Sequence, residues 1–181
     1  IRLAVGARYP LMLDAVSAYD QNQAMRVGRA VEELNFVWYE EPLREYDIHG
    51  YKMLAAALDV PIAAVEVNEG SLYTTPEYIV TRAVDIVRSD VCFKGGVGQV
   101  KKTAALAEAF GHNLEIHTNG NAMLEAANIA VAASIKNTTF YERLVPDHLF
   151  IYGVENPIEI DREGFAHVPK GPGLGTRVDW D

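Results

Sequence analysis

The sequence has a single cysteine, Cys92, among 181 residues. One thiol excludes a disulfide framework within the chain and fits a reducing compartment, so the cytoplasm is the expected location. Positive charge is scarce: 16 Lys and Arg stand against 25 Asp and Glu, a formal net charge of −9. No face collects a run of Lys or Arg, which argues against nucleic acid or an anionic membrane as partner. Long apolar runs are missing too. None approaches the roughly 20 residues that cross a bilayer, and no basic-then-apolar signal pattern stands at the start. What is present is an apolar fraction of 49%, enough for an ordinary core. The expected partner is a small molecule.

Short β-rich apolar runs alternate with stretches of helical spacing, the pattern of βα units around a parallel sheet. The strands are expected over Leu11 to Ala15, Phe36 to Glu40, Ile62 to Glu66, Ile86 to Asp90, Leu114 to Thr118 and Phe140 to Leu144. Between them, Ala24, Val27, Val31 and Leu34 fall on one face of a helix from Gln21 to Leu34, with Asp20 as its cap. Further helices are expected over Thr103 to Phe110, ending at Gly111, and over the Ala-rich run Ala122 to Ile135.

Every expected strand ends on an ionisable residue: Asp14, Glu40, Glu66, Asp90, His117 and Glu142. Their separations are 26, 26, 24, 27 and 25 residues, one polar group per βα unit. Parallel strands gather such residues on one rim, which in an eightfold barrel is where the active site lies. An open doubly wound sheet would gather them at a switch point and would not explain the recurrence. A barrel of the TIM type is therefore expected.

Six strands do not close it, and the missing two are expected upstream of Ile1. The opening Ile1-Arg2-Leu3-Ala4-Val5-Gly6 reads as the last turns of a helix ending at its glycine. Past Leu144 the pattern changes. Pro157 to Ile160, the turn Asp161 to Gly164, and Phe165 to Val168 read as a β-hairpin outside the barrel, followed by a Pro- and Gly-rich tail. Residues 1–150 are thus expected to form a partial catalytic barrel, and residues 151–181 to belong to a second unit.

Asp14, Glu40 and Glu66 end three consecutive strands with no Cys or His among them, an all-oxygen site for a hard cation. Magnesium fits best, since it accepts few protein ligands alongside water and substrate oxygens, whereas calcium wants more. A single strand-end acid is as readily solvated or paired with Arg; the shared spacing of three favours the metal.

The motifs Leu13-Asp14-Ala15, Tyr39-Glu40-Glu41-Pro42-Leu43, Val65-Glu66-Val67-Asn68, Ser89-Asp90 and Lys94-Gly95-Gly96-Val97 resemble the enolase superfamily, mandelate racemase subgroup. The resemblance runs from about Ile1 to about Leu144. It implies a modified (β/α)7β barrel under an α+β capping domain built partly from the extreme C-terminus, which suits the Pro157 to Val168 hairpin. It implies Asp14, Glu40 and Glu66 as Mg2+ ligands, with Glu41 behind them. It implies His117 as general acid/base, Asp90 as its orienting partner, and Glu142 as an acid that hydrogen-bonds the substrate carboxylate. A salt bridge to Arg143 or another neighbour is the plainer reading of Glu142.

The dyad also makes physical sense. A carboxylate bonded to one ring nitrogen fixes the tautomer and raises the basicity of the other. A proton α to a carboxylate is too weakly acidic for imidazole alone, so charge forming on the carboxylate oxygens must be neutralised by the metal. The remaining histidines, His49, His112, His148 and His167, are expected on the surface. Lys94 is expected in a loop, because Asp90 holds the strand-end position. Gly95 to Gly98 fits either a phosphate cradle or a glycine turn opening a helix.

Two departures from the pattern stand out. Val16, two residues after Asp14, occupies the place where related galactonate and mannonate dehydratases carry a catalytic His, which disfavours those activities. Val65 replaces a common glycine. The resemblance implies a carboxylate substrate and a lyase that removes the α-proton of an acid sugar and eliminates water. A racemase, epimerase or sugar-lactone cycloisomerase acting through the same enediolate is the alternative. From another class, the chain is an inactive barrel that only binds. A homo-oligomer is expected.

Overall fold

Five of the apolar runs form strands in the computed structural model, which describes residues 1–118 and 120–180. The elements alternate: α1 (Arg2–Val5), β1 (Met12–Asp14), α2 (Gln21–Glu33), β2 (Trp38–Glu40), α3 (Ile48–Ala57), β3 (Ile62–Ala64), α4 (Thr75–Val80), β4 (Ile86–Ser89), α5 (Val97–Ala109), β5 (Asn113–Ile116) and α6 (Ala122–Ala132). All four strand pairings are parallel, and the sheet order follows the chain, β1-β2-β3-β4-β5. Sequential parallel order with a helix in each crossover is the path of a barrel wall, not of a doubly wound sheet. The chain forms part of such a barrel.

One face of the sheet is covered by the helices, and the other lines the barrel interior. Tyr39, Ile62, Ala64, Val87 and Leu114 are buried within the strands, and Leu54, Val84, Val100 and Ala107 close over them. The helix α3 packs on β3, and α5 on both β4 and β5. Helix starts follow from local chemistry. Asp20 caps α2 in a reciprocal box with Gln23, the start read from the sequence. Asn121 accepts from Met123 and Leu124 at the head of α6. Gly95 and Gly96, at φ of 75° and 106°, make the turn that opens α5. α1 does end at Gly6.

The expected sixth strand is a correction. Over Phe140 to Leu144 only a single parallel bridge forms, Tyr141 with Ile116. The buried Glu115 carboxylate accepts from the backbone N–H groups of Thr139 and Phe140, so these donors do not enter a ladder. The C-terminal hairpin is similarly reduced to its turn. Ile160 bridges Ala166 antiparallel, and the Asp161 carboxylate accepts from Glu163 N and Phe165 N. Among the described residues no helix is long and apolar enough to cross a membrane.

Candidate active site

Parallel register places Asp14 of β1 directly beside Glu40 of β2. Glu66 lies two residues beyond β3, past Val65, whose φ of 74° is a left-handed conformation that a β-branched residue rarely adopts. The glycine that Val65 replaces would adopt it freely. Asp90 and His117 each stand one residue beyond their strands, β4 and β5. All five therefore reach one rim.

Glu40 is buried, and both of its oxygens are held. Trp38 Nε1 donates to Oε2 at 2.9 Å, and Arg88 Nε donates to Oε1. Burial pushes the Glu40 carboxyl up to about 7; Arg88 works against this, while Asp14 and Glu142 add to it. Glu66 is pushed up to about 8, again by burial first, with His117 opposing and Glu41 and Glu40 reinforcing. Glu41 stands behind, its Oε1 accepting from the Glu66 backbone N–H at 3.0 Å. The carboxylates thus crowd one another in a desolvated place.

They do not converge on one point. Among the described residues no three His, Cys, Asp or Glu side chains are arranged to share a cation. Each is turned to a neighbour: Asp14 to Val16 N at 2.9 Å, Glu40 to Trp38 and Arg88, Glu66 to His117 Nε2 at 3.2 Å. The donor chemistry nevertheless suits magnesium, being all carboxylate oxygen from neighbouring strands, with Asp14 raising the pKa of Glu40 and Glu40 that of Glu66.

His117 sits between two carboxylates. Nδ1 lies 2.8 Å from Asp90 Oδ2 and Nε2 3.2 Å from Glu66 Oε1. Burial disfavours the charged ring, but the Asp90 bond and the nearby Glu66 outweigh it and raise the pKa. Asp90 is fully buried, and its Oδ1 accepts from Phe93 N at 2.6 Å. The Phe93 ring stacks on the imidazole, centroids 5.7 Å apart. With Nδ1 committed to Asp90, Nε2 is the nitrogen available for proton exchange.

Glu142 pairs with Arg88 Nη2 rather than with Arg143. Arg143 instead turns to Asp147 and to the carbonyl of Ile158. One further expectation is corrected: His112 is buried, not on the surface, with Nδ1 3.0 Å from the Asp85 carbonyl. Lys94 lies in the turn between β4 and α5, as expected, but it is 1% exposed and donates to Asn68 Oδ1. Burial drops its pKa to about 8, against the pull of Glu41, Glu66 and Asp90.

Arg88 is the residue that the sequence reading missed. The signal was its position within β4, two residues before the rim residue Asp90. A cavity of about 530 Å³ opens beside Asp14, Glu40, Arg88 and Glu142, large enough for a small acid.

The whole chain, residues 1–181, matches the family described as enolase C-terminal domain-like. The chain belongs to the enolase superfamily. Its enolase-family relatives include the L-talarate/galactarate dehydratase of Salmonella typhimurium, 41% identical over 117 residues, covering 65% of this chain and 29% of that enzyme. The arabinonate dehydratase of Saccharolobus solfataricus is 33% identical over 181 residues, 98% of this chain and 47% of that one. Among solved structures, D-glucarate dehydratase from Agrobacterium tumefaciens, complexed with magnesium, superposes with a TM-score of 0.91 at 37% identity, covering 99% of this chain and 47% of that one. Cycloisomerases of the family match as well. The chain spans about half the length of the structural relatives and half or less of the curated ones.

Proposed function

We propose that the protein is a magnesium-dependent hydro-lyase that converts an acid sugar to a 2-keto-3-deoxy acid. The observation that carries this reading is His117, held through Nδ1 by buried Asp90 and presenting Nε2 beside the strand-end carboxylates. In this reading Asp14, Glu40 and Glu66 hold the ion. When bound, magnesium supplies positive charge against the substrate carboxylate while the neighbouring carbon loses its proton. His117 Nε2 either accepts that proton or gives one to the departing carbon-3 hydroxyl, which leaves as water. Asp90 keeps the ring in the productive tautomer, and Phe93 shields one of its faces. Glu142, braced by Arg88, lines the cavity where the substrate carboxylate would lie.

The dehydratase names of the relatives favour elimination. A cycloisomerase relative, a D-galactarolactone enzyme matched over the whole chain at 27% identity, keeps isomerisation through the same proton transfer as the second reading. The same proposal makes residues 151–181 part of a specificity cap, in a homo-oligomer.

The test is His117→Asn with magnesium and a substrate found by screening acid sugars in deuterium oxide, following product and deuterium at carbon 2. Substrate should still bind while turnover falls by roughly 10²- to 10⁴-fold. Asp90→Asn should lose less. Exchange without product in His117→Asn assigns His117 to the leaving group, and loss of both makes it the base. Unimpaired turnover refutes the reading.

A further inference from the structure

Asn128 lies in the middle of α6, where asparagine is a poor choice because its amide competes with the helix backbone. It is nonetheless fully buried, amid a stretch whose other buried residues are mostly alanine and aliphatic. A buried primary amide is stable only if its donors and acceptor find partners. Here they are two backbone groups from different loops. Oδ1 accepts from the N–H of Val91 at 3.0 Å, and Nδ2 donates to the carbonyl of His117 at 2.9 Å.

Val91 directly follows Asp90, so one side chain joins the segment carrying the dyad's carboxylate to the residue carrying its ring. β4 and β5 already run in register up to Ser89 and Ile116, and His117 N donates to Ser89 O at 3.0 Å. Beyond those residues the ladder stops. Asn128 takes over where the strands end.

We propose that Asn128 is a positioning residue for proton transfer, fixing the separation of Asp90 and His117 by clamping Val91 and His117. This rests on the reading of His117 as the proton-transfer residue. A misplacement of reacting groups by about an ångström can cost on the order of a hundredfold in rate. Loss of the clamp should therefore act on turnover, and substrate and metal affinity should be spared because Asp14, Glu40 and Glu66 lie on other strands.

The experiment uses Asn128→Leu, Asn128→Asp and Asn128→Gln. Leucine removes both bonds at similar volume. Aspartate keeps the acceptor for Val91 but faces the His117 carbonyl with a second oxygen. Glutamine keeps both groups on a longer stem. In ¹⁵N-histidine-labelled protein, the Nδ1–H resonance of the Asp90-bonded ring is identified by its disappearance in His117→Asn. It should broaden or vanish in Asn128→Leu and Asn128→Asp and partly return in Asn128→Gln. With a screened substrate, kcat should fall by roughly 10- to 100-fold in the first two with KM and magnesium affinity within about twofold of the parent, and recover partly in the third.

An unchanged resonance and kcat in folded Asn128→Asp overturns the clamp. So does a parallel fall of kcat, magnesium affinity and melting temperature, which marks a purely structural residue. If His117→Asn turns over normally, the functional reading fails, whatever the resonance shows.

Discussion

Arg88 donates from Nε to Oε1 of Glu40, with only 3% of one side chain and 6% of the other exposed. A buried ion pair of this kind is a poor source of net stability, but removal of one partner strands the other charge in a desolvated site. Glu142 also relies on the same guanidinium, and burial has already pushed the Glu40 carboxyl up to about 7.

Arg88→Met should therefore destabilise the protein by about 3 to 5 kcal/mol, read from urea unfolding. Arg88→Lys should lose less, since it keeps the charge but not the fork that serves two carboxylates. Magnesium should raise the melting temperature of Arg88→Lys more than that of the parent, because a divalent cation restores missing positive charge beside Glu40. Equal responses would detach Arg88 from the metal site.

Glu40→Gln keeps the volume and the hydrogen-bonding reach of the side chain but removes a charged oxygen donor. Magnesium affinity, measured by calorimetry, should fall about tenfold or more, with turnover lost and the fold retained. Normal metal binding and turnover in this variant would remove Glu40 from the ligand set.

Glu125 on α6 is 1% exposed, and its Oε2 has no hydrogen-bond partner among the described residues. Burial raises its pKa, with Arg143 partly opposing and Asp147 adding to the rise. The unfolded chain releases this proton at the ordinary glutamate value of about 4.3 and the folded chain only at a higher pH. The folded state is thus favoured below the unfolded value, and that advantage is lost as pH rises through the folded one. Glu125→Gln should abolish this slope. The melting temperature of the variant minus that of the parent should grow as pH rises above the ordinary glutamate value. A pH-independent difference would show that Glu125 ionises as freely as in water.

The alternation of β and α, the capped start of α2 and the ionisable residue at or just past the end of each of the five strands were legible in the sequence. Each depends on neighbours within a few positions, such as Asp20 with Gln23, or on a repeat that survives as simple spacing. The dyad partners Asp90 and His117 were named from a resemblance, and the distance between them needed coordinates. Phe140 to Leu144 shows where local signals stop. Its composition suits a strand, but Glu115, 24 and 25 residues earlier, captures the N–H groups of Thr139 and Phe140 that a ladder would use.

The interior cations were decided by tertiary structure alone. A lysine or arginine in sequence carries the same charge whether its strand or turn aims it at solvent or at the barrel interior. Arg88 and Lys94 became buried because β4 and the turn after it face Glu40, Glu142 and Asn68, contributed by chain segments up to 54 residues away. Asn128 is the same case in a helix. Nothing near it in the chain asks for an amide, and only the folded ends of β4 and β5 supply the donor and acceptor that make it stable there.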